Sequence, residues 1–172
     1  MPTLHLLMGL PGSGKSTVAA KLKVETNAVL LSSDELRLQL FAKPTFSQTE
    51  HDTLYRILDK MVDEFLAKGY DVIYDANLNR LIHRQEKYEL ARKHHAQCIL
   101  WWVKTPAELA KQRRLSEQNH ILIPSGDTPE NLFDRVARVL ETPTADERTI
   151  IVDGTDVENL DIHTEITRLV QS

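Results

Sequence analysis

Leu6-Leu7-Met8-Gly9-Leu10-Pro11-Gly12-Ser13-Gly14-Lys15-Ser16-Thr17 is the stretch that decides the fold. The apolar run at its start reads as a strand over residues 5–8 that stops at Gly9. Residues 9–16 then satisfy G-x-x-x-x-G-K-[ST], the Walker A pattern. Glycines let the backbone curl until successive N–H groups converge on an anion. A helix over residues 15–26, with Val18, Ala19 and Leu22 on one face, adds its positive end at the same point. Lys15 is expected to reach the β- and γ-phosphates and Ser16 to bind Mg²⁺. Gly9, Gly12, Ser13, Gly14 and Thr17 complete the expected cradle. The motif sits between strand and helix, the context in which it holds a nucleoside triphosphate such as ATP.

The same alternation continues outward. Short apolar strands are expected at residues 28–31, 71–74, 98–103 and 149–152. Helices are expected at 32–41, 80–94, 106–118 and 129–140, with one more at the C-terminus. Pro106 suits the first position of its helix. Ser32 with Glu35, and Ser47 with Glu50, have the spacing of capping boxes. The second opens the longest helix, whose Leu54, Ile57, Leu58, Met61, Val62 and Phe65 follow the helical rhythm. Gly69 stands where a C′ glycine ends it. Residues 119–128, with Pro124, Ser125 and Gly126, read as a mobile loop. Five strands alternating with helices predict a three-layer α/β fold, a parallel sheet covered on both faces.

The whole chain bounds the function. Its 172 residues suit one domain spanning 1–172, without repeat or linker. One cysteine, Cys98, excludes an internal disulfide and fits a reducing cytoplasm. No signal peptide or membrane-spanning run is visible. The net charge is −4, yet residues 1–116 carry 17 Lys+Arg against 13 Asp+Glu, and residues 117–172 carry 4 against 12. That balance lacks the footprint of a strong nucleic-acid binder.

Two further segments carry candidate chemistry. In Ser33-Asp34-Glu35-Leu36-Arg37, Asp34 follows a strand and is placed to accept a proton from an attacking hydroxyl. Arg37 shares its helix face and suits an anionic group on acceptor or phosphate. Acids also favour the first turn of any helix, and arginines are common on exposed faces. In Tyr74-Asp75-Ala76-Asn77-Leu78-Asn79, Asp75 has the placement of a carboxylate that orients Mg²⁺. Asn77 and Asn79 are open to two readings, as acceptor ligands or as loop-fixing turn residues.

These segments resemble a known family. Gly-Leu-Pro-Gly-Ser-Gly-Lys-Ser-Thr, Ser-Ser-Asp-Glu-Leu-Arg and Asp-Ala-Asn-Leu-Asn are similar to the kinase domain of polynucleotide 5′-hydroxyl kinases. They are closer still to a bacterial group of predicted P-loop kinases with an AAA-type ATP-binding domain. Val103-Lys104-Thr105-Pro106 with Glu108, and Glu141-Thr142-Pro143-Thr144 with Glu147, extend the resemblance over most of the chain. It implies a P-loop NTPase fold with the phosphate-loop strand at the centre of the sheet. It implies Asp34 as general base, Arg37 as ligand of acceptor or phosphate, and a helical lid over about residues 113–128. Arg114 would act catalytically from that lid. Relatives carry a second arginine a turn later, where this chain has Gln118: either one charge is missing from the lid or Arg113 takes its place on the nucleotide.

The implied activity is transfer of the ATP γ-phosphate to a hydroxyl on a polynucleotide 5′ end, nucleoside or small metabolite. The alternative is an ATP-binding regulatory module with slow ATPase activity, although no switch glutamine and no Asn-Lys-x-Asp can be placed. Of the weaker features, Arg80, Arg84 and Lys87 form a stripe at helical spacing. We read it as a solvated face, the other reading being attraction for a phosphorylated acceptor. Phe41 and Phe46 are expected to pack in the core rather than stack on an acceptor. Trp101 and Trp102, adjacent in a strand, should face opposite layers. Cys98 reads as a small buried hydrophobe, and His94 and His95 carry no metal-site spacing.

Overall fold

The computed structural model describes residues 1–117 and 122–171. Strands β1 (Thr3–Met8), β2 (Val29–Ser32), β3 (Val72–Asp75), β4 (Gln97–Lys104) and β5 (Thr149–Asp153) form one sheet in the order β2-β3-β1-β4-β5. Every neighbouring pair is parallel. Helices α1 (Lys15–Thr26), α2 (Ser33–Leu40), α3 (Gln48–Ala67), α4 (Leu81–Lys93), α5 (Ala107–Ser116), α6 (Pro129–Arg138) and α7 (Ile162–Gln171) connect and follow them. The strand feeding the phosphate loop is central, as expected, so its carboxyl end opens into the crevice where ligands bind in such sheets.

Side-chain alternation splits the core into two layers. On one face, Leu4, Leu6, Met8, Tyr74 and Leu100 meet Leu54, Leu58 and Val62 of α3 and Ala91 of α4. On the other, Leu7, Ile73, Ile99, Trp101 and Val103 meet Val18 and Leu22 of α1 and Ile162 of α7. Trp101 and Trp102 do face opposite layers. Cys98 packs at the edge of the first layer, and burial pushes its thiol up to about 12.

Local signals place several ends. Ser32 Oγ accepts from the Glu35 amide at 3.5 Å, and Ser47 Oγ from Glu50 at 3.3 Å. Gly69 takes φ +83° immediately beyond the end of α3, as a C′ glycine does. Pro106 sits one residue before its helix, not at the first helical position. Gln118, at the end of the expected helix, and residues 119–121 of the expected loop lie outside the described residues.

The stripe on α4 departs most from expectation. Arg80 is exposed, but Arg84 and Lys87 are buried rather than solvated. Arg84 is bound by Glu147, and Lys87 donates to Asp59 at 2.5 Å. Both acidic partners are remote in sequence, and they draw the cationic face of α4 inward. Neither group is offered to a ligand.

Candidate nucleotide and acceptor cleft

Helix α1 begins without a side-chain cap. Its N-cap is Gly14 in a left-handed conformation, φ +107°. The first-turn N–H groups of a helix have no intrahelical acceptor, so the amides of Lys15, Ser16 and Thr17 are free to meet an anion. Gly12 also has positive φ, +77°, and a Cβ there would lie 2.2 Å from the Ala110 carbonyl oxygen. Glycine thus lets the loop touch the backbone of α5, bringing Arg113 and Arg114 alongside. Behind the loop, Thr105 Oγ1 donates to Ser13 O at 2.8 Å. A Cβ at Gly154, at the end of β5, would fall 1.7 Å from that same Thr105 hydroxyl.

Lys15 turns its ammonium back onto the loop, donating to Gly9 O at 3.0 Å and Leu10 O at 2.8 Å. Burial lowers its pKa to about 8; Asp75 and Asp34 pull it upward and Arg114 pushes it down. Asp75 is raised, first by burial and then by Asp34 and Glu35, against the lowering by Lys15. These mutual influences gather Lys15, Asp34, Asp75 and Arg114 into one electrostatic unit.

The cleft has a volume of about 730 Å³. Gly9, Gly12, Gly14, Lys15, Ser16 and Thr17 form its floor, and Asp34, Arg37, Asp75, Arg113 and Arg114 its walls. Ser13 is the exception among the predicted residues. It is fully buried, its amide closes a turn onto Leu10 O at 3.1 Å, and its hydroxyl has no hydrogen-bond partner among the described residues. Arg113 Nη1 donates to Gly154 O at 2.7 Å, while Arg114 Nη1 pairs with Glu117 at 2.9 Å. Asp34 is exposed, and neither Asp34, Ser16 nor Asp75 has a side-chain hydrogen bond or ion pair within the described protein. Ser16 and Asp75 therefore offer open, hard oxygen donors of the kind Mg²⁺ takes.

The wall of the cleft around Arg37 was only partly legible in the sequence. Arg37 is buried, ion-paired with Glu50, and stacked over Phe46 at 4.6 Å from the ring centroid. Phe46 consequently lines the cleft instead of packing in the core, with backbone φ +57° turning it there. Phe41 does pack against the core. Tyr55, not singled out in the sequence, faces the same end, and burial raises its hydroxyl pKa. Residues 155–158 line the opposite end. Their only sequence signal is position, just beyond the carboxyl end of an apolar strand. Asn79 serves the loop, accepting the Gly9 N–H on Oδ1 at 3.2 Å.

The sequence matches the AAA domain family over residues 4–143. The chain belongs to that family. Solved structures agree on a P-loop kinase-like fold for this AAA domain. A putative kinase from Chloroflexus aurantiacus j-10-fl aligns with TM-score 0.73 at 20% identity, covering 99% of this chain and 97% of that one. A gluconokinase from Sinorhizobium meliloti 1021 gives 0.69 at 18%, covering 99% and 93%. A chain of the Pnkp1/Rnl/Hen1 RNA repair complex gives 0.66 at 26%, covering 80% of this AAA domain chain but 44% of that chain. No curated protein matches the sequence. Among the described residues, no helix is long and apolar enough to cross a membrane.

Proposed function

We propose that this protein is an ATP-dependent phosphotransferase that moves the γ-phosphoryl group of Mg-ATP to an acceptor hydroxyl. The observation that carries the reading is an unpaired carboxylate, Asp34, on the same cleft as the open helix N-terminus and Lys15. A phosphate cradle alone binds nucleotide; a free carboxylate beside it supplies the base that transfer to a hydroxyl requires. The kinases among the structural neighbours support the class of reaction.

In this reading the amides of α1 hold the phosphates. Lys15 leaves the carbonyls of Gly9 and Leu10 for the β- and γ-oxygens, exchanging two neutral acceptors for charged ones. Ser16 and Asp75 hold Mg²⁺, which neutralises charge on the phosphates when bound. Asp34 takes the proton of the acceptor hydroxyl. Arg114 stabilises the moving phosphoryl group, which requires it to exchange Glu117 for the phosphate. Arg113 stays beside the nucleotide through Gly154. Residues 113–128 act as the lid of a single kinase domain. Phe46, Tyr55 and Arg37 shape the acceptor end, which suits a nucleoside, a polynucleotide 5′ end or a small metabolite.

The test is transfer from γ-labelled ATP with Mg²⁺ to 5′-hydroxyl oligonucleotides, nucleosides, sugars and aminoglycosides. Label on one acceptor class, lost in Asp34→Asn while ATP still binds, is the expected result. Slow hydrolysis with no labelled acceptor, or full transfer by the variant, would overturn the reading.

A further inference from the structure

The first glycine of the phosphate loop is held from behind. Gly9 adopts φ +153°, and its carbonyl is one of the two that receive Lys15. Its N–H is committed to Asn79 Oδ1, a contact spanning 70 residues of sequence within the core. Asn79 is itself fixed at both ends of its peptide. Its N–H donates to Asn77 Oδ1 at 3.3 Å, and its carbonyl accepts from Glu141 N at 2.8 Å and from Arg84 Nη1 at 3.3 Å.

Arg84 has no solvent exposure at all. Nη1 also reaches Leu78 O at 3.1 Å, while Nε and Nη2 grip Glu147 at 2.6 and 3.1 Å. Glu147 in turn accepts the Tyr88 hydroxyl at 2.6 Å and the Thr144 amide at 2.7 Å. These contacts, with burial opposing them, keep its carboxyl below the usual range. A buried ion pair is weak evidence of stabilisation, because apolar side chains of similar volume hold a core at least as well. What apolar side chains cannot do is aim a guanidinium at two particular carbonyls. The unbroken series runs from Glu147 to Arg84, to the Asn79 peptide, to the Gly9 amide, and through the Gly9 carbonyl to Lys15.

We propose that Arg84 and Glu147 are positioning residues for the phosphate loop, acting through Asn79 on Gly9 and Lys15. The proposal rests on reading the cleft as an ATP site. Neither residue touches the nucleotide; the pair sets the geometry in which Lys15 waits.

A double-mutant cycle tests it, with affinity for Mg²⁺ and a non-hydrolysable ATP analogue measured by calorimetry. Asn79→Ala and Arg84→Lys should each weaken binding by about tenfold. The two together should weaken it by about tenfold in total relative to wild type rather than a hundredfold, because coupled residues are not additive. Hydrogen exchange at the Gly9 amide should accelerate in both single variants. If Arg84→Lys does not fold, Glu147→Gln replaces it in the same cycle. Additive losses would overturn the proposal, as would a lowered Tm with unchanged affinity and unchanged Gly9 exchange. Coupled losses in a protein that phosphorylates no acceptor would sink the kinase reading and leave this one standing.

Discussion

Arg37 and Glu50 neutralise each other at the wall of the cleft, on α2 and the first turn of α3. Glu50 also accepts the Thr45 amide at 2.6 Å and the Phe46 amide at 3.3 Å, so one carboxylate anchors both the guanidinium and the loop carrying Phe46. Glu50→Gln should therefore release the wall as well as cost stability. Removing one partner of a buried pair leaves the other uncompensated. A drop in Tm on the order of 10 °C is expected for a chain of this length. The acceptor KM should rise by more than the ATP KM. Equal changes in the two KM values would show that Glu50 stabilises the fold without organising the acceptor end.

Lys15 should make the proposed ATP binding sensitive to alkaline pH. With its pKa lowered to about 8 by burial, it is mostly charged below pH 8 and mostly neutral above. The terminal phosphate, with a second pKa near 6, is already ionised in this range. Affinity should then be nearly flat from pH 7 to 8 and fall by up to about tenfold per pH unit beyond, as binding must recruit the missing proton. Lys15→Met should bind more weakly and show no such slope. Titrations of a fluorescent ATP analogue at pH 7, 8 and 9 would decide it, a flat wild-type profile being the contrary outcome.

Features encoded locally could be read from the chain before its fold was known. The phosphate loop, both Ser caps, Gly69 and the opposite facing of Trp101 and Trp102 depend on residues within a turn or a strand of one another. Arg84 and Lys87 show where that limit lies. Spacing at i, i+4, i+7 marks one face of a helix, and it is identical whether that face meets water or a buried carboxylate. Glu147 lies 63 residues from Arg84 and Asp59 lies 28 from Lys87, so no local pattern announces either pair. Phe46 failed for a similar reason. Its place in the cleft follows from Arg37 and Glu50 meeting across a loop, which hydrophobicity alone does not encode.

Gly154 is required for its small size. Any Cβ there would meet Thr105 Oγ1 at 1.7 Å and Ser13 O at 2.6 Å. Gly154→Ala must displace the Thr105 hydroxyl from Ser13 and tilt the phosphate loop, and it also disturbs the carbonyl that anchors Arg113. We expect ATP affinity to fall at least tenfold, about 1.4 kcal/mol. Gly69→Ala, far from the cleft and free of any Cβ neighbour within 4 Å, is the control. Its φ of +83° makes the replacement costly in Tm, while affinity should stay near wild type. Wild-type affinity in Gly154→Ala would show that the strand end yields without moving the loop.

His5 ties the stability of the sheet to acid. It lies on the central strand, 2% exposed, and its Nδ1 accepts the Trp101 indole N–H at 3.1 Å from the neighbouring strand. That hydrogen bond requires the unprotonated ring nitrogen, and burial depresses the pKa from 6.5 to about 4 despite the opposing pull of Asp71. Between those values the unfolded chain binds the proton and the folded chain does not, so stability rises with pH across the window. The contribution is complete above pH 6.5, shrinks as the pH falls, and is gone below about 4. A shift of this size is worth about 3 kcal/mol. His5→Gln, which keeps an acceptor for the indole but does not titrate, should lose less stability than wild type between pH 7 and pH 4. Urea unfolding at both pH values measures the difference directly. If the two proteins lose stability in parallel, the acid sensitivity belongs to the carboxylates and not to His5.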